Sequence, residues 1–299
     1  MNRYGFGVHI AEITGFGEEH LTAVKPVMAQ ILAQAEDGLT VIEDHLTRHM
    51  TTSAEVTAFA ESLGLDKDLG MLAITLLLTS RAHDIYRERG IPEAIFTDTM
   101  KNIRIACNEY AHDNNGKTGM TRYAFISRNM VGDVLRHGRL EYEIETFSKE
   151  DYEAHGITVH TGDPILKIHI PSDEPLLVED AEESFRLAYR YYRLAPITPF
   201  MCESWLTYPG NRHFCRPDSN IIRFMECFDI LESEDCPKCG DLWRIYGRHA
   251  DFDHPETFSE NTSLQRSLKA HLLRGGTMGM GFGIFLYDGE KRLTRKEQN

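Results

Sequence analysis

The residues best placed for chemistry lie at the ends of two predicted strands and in the loop between them. His169 lies near the end of the first predicted strand, and Ser204 lies near the end of the second. Residues 171–178 connect the first strand to a predicted helix. Parallel sheets bind ligands at the carboxyl ends of their strands, often against a helix N-terminus. We therefore expect the functional site near His169, the 171–178 loop and Ser204.

The elements that position these residues follow from the pattern between residues 163 and 206. Apolar and polar residues alternate over 166–170, which is strand periodicity. Apolar residues then recur at helical spacing, namely Leu177, Ala181, Phe185, Ala188 and Tyr192. Prolines end that helix before a second strand over 200–206. A strand–loop–helix–strand unit predicts two parallel strands with a crossover helix.

The composition limits the class of protein. The chain has 299 residues, which suggests about two domains, and a formal net charge of −14, which argues against nucleic-acid binding. It has no apolar run of about 18 residues that could span a membrane, and its N-terminus lacks the apolar core of a signal peptide. We therefore expect a cytoplasmic protein, with free thiols rather than a disulfide framework.

The character of the sequence changes near residue 138. The pattern of the first half predicts helices over 18–36, 66–89, 92–110 and 122–137. It also predicts a short helix that begins at the capping box Thr52-x-x-Glu55. The second half predicts strands over 140–145, over 157–160 as its hairpin partner, over 222–230 and over 279–287, with short helices over 241–248 and 263–274. We thus predict a helical domain of residues 1–138 and a mixed-sheet domain of residues 139–299.

Five blocks of the sequence resemble a known family. They are RHGRLEYE at 136–143, GDPILKIHIP at 162–171, FMCESWL at 200–206, PDSNIIRF at 217–224 and TSLQRSLKAHLLRGG at 262–276. They are similar to a bacterial two-domain acyltransferase-like family with a helical N-terminal domain and a C-terminal domain of the N-acetyltransferase fold known as GNAT. The resemblance covers nearly the whole chain and implies an α+β or α/β fold, a helical bundle followed by a GNAT-like mixed sheet.

The resemblance implies acetyl-coenzyme A or another acyl-coenzyme A as donor and an amine as acceptor. In a GNAT fold the strands at 165–170 and 200–206 would splay apart, and the acyl-pantetheine arm would lie between them like an added strand. The pyrophosphate would bind the helix N-terminus, and the acyl carbonyl would accept a backbone N–H near Ile170. The cofactor-binding residues implied are Ile170, Pro171, Ser172, Leu177, Val178, Trp205 and Asn220.

The same resemblance implies catalytic residues at the strand ends. His169 would deprotonate the amine, and Glu203 is a second candidate base. Tyr208 or Ser204 would protonate the departing thiolate. Structural alternatives stay open, because His169 could form a hydrogen bond across the sheet and Glu203 could face water. Ser204 could likewise serve a turn.

The loop at 171–180 departs from the GNAT pattern, which often places glycines there to expose backbone N–H groups. It contains no glycine. Four acids crowd the expected anion site: Asp173, Glu174, Glu179 and Asp180. Each would repel a nearby pyrophosphate by about 1 kcal/mol or more. The alternative is therefore a binding or regulatory protein that keeps the GNAT fold without catalysis.

A second kind of site is suggested by Cys236 and Cys239, which have the C-x2-C spacing of a zinc site. A closed structural site needs four ligands and this pair supplies two, so we expect two thiols in a surface loop rather than bound zinc. The expected partners are small molecules, and a homodimer stays open.

Overall fold

The computed structural model describes residues 1–236 and 242–295. The chain divides into two compact units. The first comprises Met1–Arg136 together with Pro171–Asp173, and the second comprises His137–Ile170 together with Glu174–Asn299. As domain limits, 1–138 and 139–299 stay a prediction.

Helices build the first unit. They are α1 Arg3–Ile13, α2 Glu18–Thr47, α3 Ser53–Ser62, α4 Lys67–Glu88, α5 Glu93–Asp113 and α6 Tyr123–Met130. The run from Met71 to Leu78 on α4 is buried on every side, and α4 packs against α1, α2 and α3. A helix that is apolar all round belongs in a core. The predicted helices over 66–89 and 92–110 are therefore confirmed, with α4 at the centre of the unit.

Side-chain caps fix where α3 and α4 begin. Thr52 Oγ1 accepts the Glu55 N–H at 3.1 Å, and Asp66 Oδ1 accepts the Leu69 N–H at 2.9 Å. Each bond satisfies a backbone donor that has no partner within its helix. α2 runs further than predicted, to Thr47, through a local break at Ala35 where φ is −152° and ψ is 41°.

The predicted helix over 122–137 is wrong beyond Met130. Gly132 adopts a φ of 77°, and Leu135–His137 form strand β1. A positive φ suits glycine, which has no Cβ, so the helix ends there. Asn129 stabilises the turn that leads into β1, because its Nδ2 donates to the Val134 carbonyl at 3.0 Å.

A mixed sheet dominates the second unit. After β1, its strands are β2 Leu140–Thr146, β3 Tyr152–Ala154, β4 Ile157–Val159, β5 Pro164–His169, β6 Thr198–Ser204, β7 Asp229–Asp235, β8 Gly279–Tyr287 and β9 Arg292–Leu293. Its helices are α7 Val178–Tyr192, α8 Asn220–Met225, α9 Trp243–Tyr246 and α10 Ser263–Leu273. The main sheet has the order β1-β2-β5-β6-β8-β7, with β9 on β8, while β3 pairs with β4.

Strands β5 and β6 are parallel and joined by α7, as predicted, whereas β2–β5, β6–β8 and β7–β8 are antiparallel. α7 covers one face of the sheet, where Phe185 packs against Phe200 and Phe285. A second apolar cluster includes Phe147, Tyr152, Ala154, Val159, Ile165, Met201, Phe282, Ile284 and Leu286. Because neighbouring strand residues point to opposite faces, this cluster lies on the face away from α7. The predicted fold class is confirmed.

Two strand predictions are wrong. The segment 157–160 was expected beside β2, but β4 pairs with β3, and β2 pairs with β5. The segment expected as a strand over 222–230 begins as α8, because Ser219 accepts the Ile222 N–H and starts a helix. β7 begins only at Asp229. In so short a segment, apolar spacing does not separate a helix turn from a strand.

The glycines of β8 stand where other backbone approaches closely. A Cβ at Gly281 would lie 2.2 Å from the Thr207 carbonyl oxygen, and one at Gly279 would lie 2.2 Å from that of Glu234. Glycine is therefore required at these positions by packing. The strand predicted over 279–287 and the helix capped by Thr262 and Gln265 are confirmed, although β9 follows β8.

Candidate active site

Strands β5 and β6 part at the end that holds the predicted site. Their parallel register consists of Leu166↔Phe200 and Lys167↔Met201. β5 nevertheless stays paired with β2 as far as His169, and β6 stays paired with β8 as far as Ser204. In this part of the described chain, β5 and β6 therefore no longer pair with each other, although β5 still pairs with β2 and β6 still pairs with β8. This divergence is the splay that the GNAT resemblance implies.

His169 ends β5, and its imidazole meets a carboxylate from the adjacent strand. His169 Nε2 lies 2.7 Å from Glu143 Oε1, and the two side chains are 23% and 10% exposed. Glu141 of β2 is the residue that pairs with His169. Glu143 lies two residues further along β2, on the same face of the sheet, and its carboxylate contacts the ring from there. A neutral imidazole that donates its Nε2–H has Nδ1 as its acceptor nitrogen, which is the form that a general base needs.

The two residues that end β6 differ in what they do. Glu203 is exposed. Ser204 Oγ accepts the Leu206 N–H at 3.1 Å, and the Ser204 carbonyl accepts the Thr207 hydroxyl at 2.8 Å. These bonds start the 3-10 helix Trp205–Thr207. The structure thus gives Ser204 the turn function that was its structural alternative.

Tyr208 is buried, and its hydroxyl donates to the carboxylate of Asp235. Burial and, after it, the contact with Asp235 raise the pKa of Tyr208 to about 12. The phenol is therefore protonated at neutral pH, but its proton is directed at Asp235. Its ring lies so close to Gly210 and Gly279 that a Cβ at either glycine would overlap it.

Trp205 packs inside a small apolar cluster rather than facing the splay. The cluster consists of Trp205, Phe214, Leu242, Leu268 and Met278. Only 7% of Trp205 is exposed. These contacts hold the segment that follows β6 against the segment between β7 and β8, and they give Trp205 a structural function.

The first half of the loop between β5 and α7 is held by charge. Asp173 is almost fully buried and accepts two hydrogen bonds from Arg136, at 3.0 and 3.2 Å, and one from Arg104 at 3.2 Å. Ser172 donates to Glu109 at 2.6 Å. All of these residues belong to the first unit. Two guanidinium groups therefore balance the Asp173 carboxylate, which was expected to repel an anion.

The second half of the loop is held by Arg139, at the start of β2. Its Nε donates to the Pro175 carbonyl at 3.1 Å and its Nη2 to the Glu174 carbonyl at 2.6 Å. Glu179 forms an ion pair with Arg223 of α8, which lowers the pKa of that carboxyl. Arginine side chains thus shape a loop that has no glycine.

Sequence comparison identifies the family. Residues 11–131 match the N-acyltransferase N-terminal domain, and residues 134–285 match the GNAT-like C-terminal domain. The chain belongs to this two-domain acyltransferase family. The family resemblance predicted from the five sequence blocks is confirmed. No curated protein matches the chain.

Solved structures of acyltransferases share the fold of this family member. One, in complex with decanoyl-CoA and teicoplanin, is 19% identical with a TM-score of 0.70, covering 92% of this chain and 86% of its own. A mutant acyltransferase in complex with octanoyl-CoA gives the same values. A third, in complex with CoA and 10C-teicoplanin, is 19% identical with a TM-score of 0.67, covering 90% and 88%.

The site of this acyltransferase-family member offers two features that suit an acyl-coenzyme A. Beyond Lys167 and Met201 the facing edges of β5 and β6 no longer pair with each other. α7 also starts without a side-chain cap, because its N-cap residue is Leu177. Uncapped N–H groups at a helix start bind anions. The residues present therefore fit the donor that the resemblance implied.

The remaining predicted residues take supporting positions. Ile170 and Val178 pack against the apolar cluster under α7, and Pro171 is buried. Asn220 is the first residue of α8, behind the Ser219 cap. These placements put Ile170 and Val178 beside the splay, whereas Asn220 belongs to the next helix.

The metal prediction concerns Cys236 and Cys239. Cys236 is half-buried, and Cys239 lies outside the described residues. Among residues 1–236 and 242–295, no three or more His, Cys, Asp or Glu side chains are grouped to hold a metal ion. Within the same ranges, no helix is both long and apolar enough to cross a membrane.

Sequence reasoning missed the arginines that shape the loop. Arg136 and Arg139 were visible in the block RHGRLEYE, the first within β1 and the second directly before β2. Their partners lie more than thirty residues later along the chain. Two arginines before a strand do not by themselves predict a contact with a later loop. The acidic residues of the 171–180 loop, however, need positively charged partners, and this need is the signal that points to the arginines.

Proposed function

We propose that this protein transfers an acyl group from an acyl-coenzyme A to an amine. The observation that carries the proposal is the parting of β5 and β6 beside a histidine held by a carboxylate, His169 with Glu143. Membership of an acyltransferase family agrees with it. The donor supplies an activated thioester carbonyl, and the acceptor supplies the nitrogen that replaces sulfur.

His169 takes the proton that the attacking amine must lose. Glu143 keeps the imidazole oriented and stabilises its protonated form, as a carboxylate does behind any histidine base. A backbone N–H near Ile170 stabilises the oxygen of the thioester carbonyl. The first turn of α7 binds the pyrophosphate with its N–H groups, and Arg139 keeps the loop before it in place.

Ser204 or Tyr208 returns a proton to the departing sulfur. Since the Tyr208 proton is directed at Asp235, Ser204 is the better placed donor of the two. Glu203 stays a second candidate base. We further propose that the donor is acetyl-coenzyme A or a longer acyl-coenzyme A; the eight- and ten-carbon acyl chains in the similar solved structures support a longer chain. A cytoplasmic location and a homodimer stay predictions.

A binding or regulatory role without catalysis is the second candidate. Two exposed acids, Glu174 and Asp180, support it, because they flank the start of α7 without a balancing partner shown in the described structure. The ion pairs of Asp173 and Glu179 weigh against it, since they remove half of the repulsion expected from the loop.

The test combines binding and turnover on the full chain. Thermal unfolding is measured with acetyl-, octanoyl- and decanoyl-coenzyme A, and thiol release is followed with a panel of primary amines. A donor at about 100 times its dissociation constant should stabilise the fold by about 2.7 kcal/mol, a shift of a few degrees. Binding with turnover supports the transferase. No binding at millimolar donor would contradict the transferase and favour the binding or regulatory protein. Binding without turnover for any amine would also favour a regulatory role, in a protein that keeps its donor site.

A further inference from the structure

The two faces of the β5–β6 pair differ in what they leave accessible. On the α7 face, Leu166 and Ile168 of β5 and Phe200 and Cys202 of β6 are buried in one cluster. Phe185 of α7 fills the space above them. α7 and its apolar cluster therefore cover this face of the strand pair.

The opposite face is polar at the same end. Strand alternation places His169 and Glu203 there, together with Met201, which belongs to the apolar cluster on that side. The register pairs Lys167 with Met201. His169 and Glu203 lie two residues beyond these partners, so they occupy equivalent positions on the two edges of the splay. Glu203 is exposed, and its side chain forms no hydrogen bond or ion pair within the described structure.

We infer that the acceptor is a cationic amine that enters on the face opposite α7, and that Glu203 recognises its ammonium group. The inference rests on the proposed transfer reaction and adds the charge class of the acceptor and its side of approach. An exposed carboxylate on the edge facing a histidine base attracts an ammonium ion to the point where its proton must be removed.

The ammonium group gives one proton to His169, and the resulting amine forms a C–N bond to the thioester carbonyl carbon. The C–S bond breaks, and the second proton passes from the new amide nitrogen by way of Ser204 to the departing thiolate. His169 releases its proton to water, and the products are an amide and free coenzyme A. Glu203 keeps its negative charge throughout, so it acts on binding of the acceptor rather than on bond formation.

The experiment compares two nucleophiles that differ in charge at pH 7.5. n-Butylamine is cationic and hydroxylamine is neutral, and both are acylated with release of coenzyme A. Glu203→Gln should lower kcat/KM for n-butylamine about tenfold, mainly through KM, and leave hydroxylamine within about twofold. Glu203→Lys should widen the difference to about 10²-fold. Glu150→Gln, which removes the same charge from an exposed loop residue at the other end of β2, serves as the matched control and should change neither.

Each other result has a defined meaning. Equal loss for both nucleophiles in Glu203→Gln would make Glu203 a base and overturn its role in recognition. No loss for either, or acylation of hydroxylamine alone by the unsubstituted chain, would overturn the cationic acceptor. Binding of octanoyl-coenzyme A is measured in parallel by thermal unfolding, so a chain that neither binds this donor nor acylates either nucleophile would contradict the proposed function itself.

Discussion

The chain continues from the carboxyl ends of β5 and β6 through two connections, which are stabilised by different kinds of interaction. The connection from β5 to α7 is shaped by arginines that bind Asp173 and the loop carbonyls. The connection from β6 to α8 is held by buried packing around Trp205 and by Asn211, whose Nδ2 donates to the Trp205 carbonyl at 2.8 Å. The first connection therefore depends on buried charge pairs, whereas the second depends on packing.

The largest effect is expected from Asp173→Ala. It would remove the carboxylate that binds both Arg104 and Arg136, of which Arg136 is only 3% exposed, and breaking a buried ion pair costs about 3–5 kcal/mol. Urea unfolding measures the loss. Asp218→Ala removes an exposed ion pair with Arg216 and should leave stability nearly unchanged. Equal losses in the two variants would show that the charges around Asp173 do not hold the first connection.

Trp205→Ala should destabilise the fold by about 3 kcal/mol, because it empties part of a packed cluster. The chain has two tryptophans, and Trp243→Ala is the control, since Trp243 is only half-buried. Affinity for octanoyl-coenzyme A, measured by calorimetry below the unfolding transition, should stay the same in both variants. A selective loss of affinity in Trp205→Ala would restore the ligand contact that the sequence predicted.

His169→Ala tests the strand end at which the first connection begins. The variant should lose about 10²-fold in turnover, typical of a removed general base, with little change in stability because the ring is partly exposed. Glu143→Gln should lose less and shift the pH dependence of kcat/KM, since it changes how the imidazole holds its proton. Unchanged turnover in His169→Ala would remove this residue from the mechanism and leave Glu203 as the base.

The sequence predicted the strand–helix–strand unit because its periodicities are long and bounded by prolines. It could not predict the connections, because their contacts join positions far apart: Arg139 reaches Pro175, and Tyr208 reaches Asp235. α8 was read as a strand because six residues carry too little periodicity, and a single cap at Ser219 decides the conformation. The family resemblance, by contrast, depends on short blocks and was recoverable without any of these contacts.

The smallest effect is expected from Tyr208→Phe in the second connection. The pKa of Tyr208 is about 12 in the folded chain, against about 10 for an exposed phenol, so the unfolded chain ionises first as pH rises. The contribution of Tyr208 to stability is therefore complete below about pH 10 and is lost as pH rises through about 12. Because its partner Asp235 is exposed, we expect the variant to reduce the alkaline loss by only about 1 kcal/mol, measured by urea unfolding at pH 8 and pH 11.5. Identical pH dependence in both proteins would mean that Asp235 does not hold the phenol, and the second connection would then depend on packing alone.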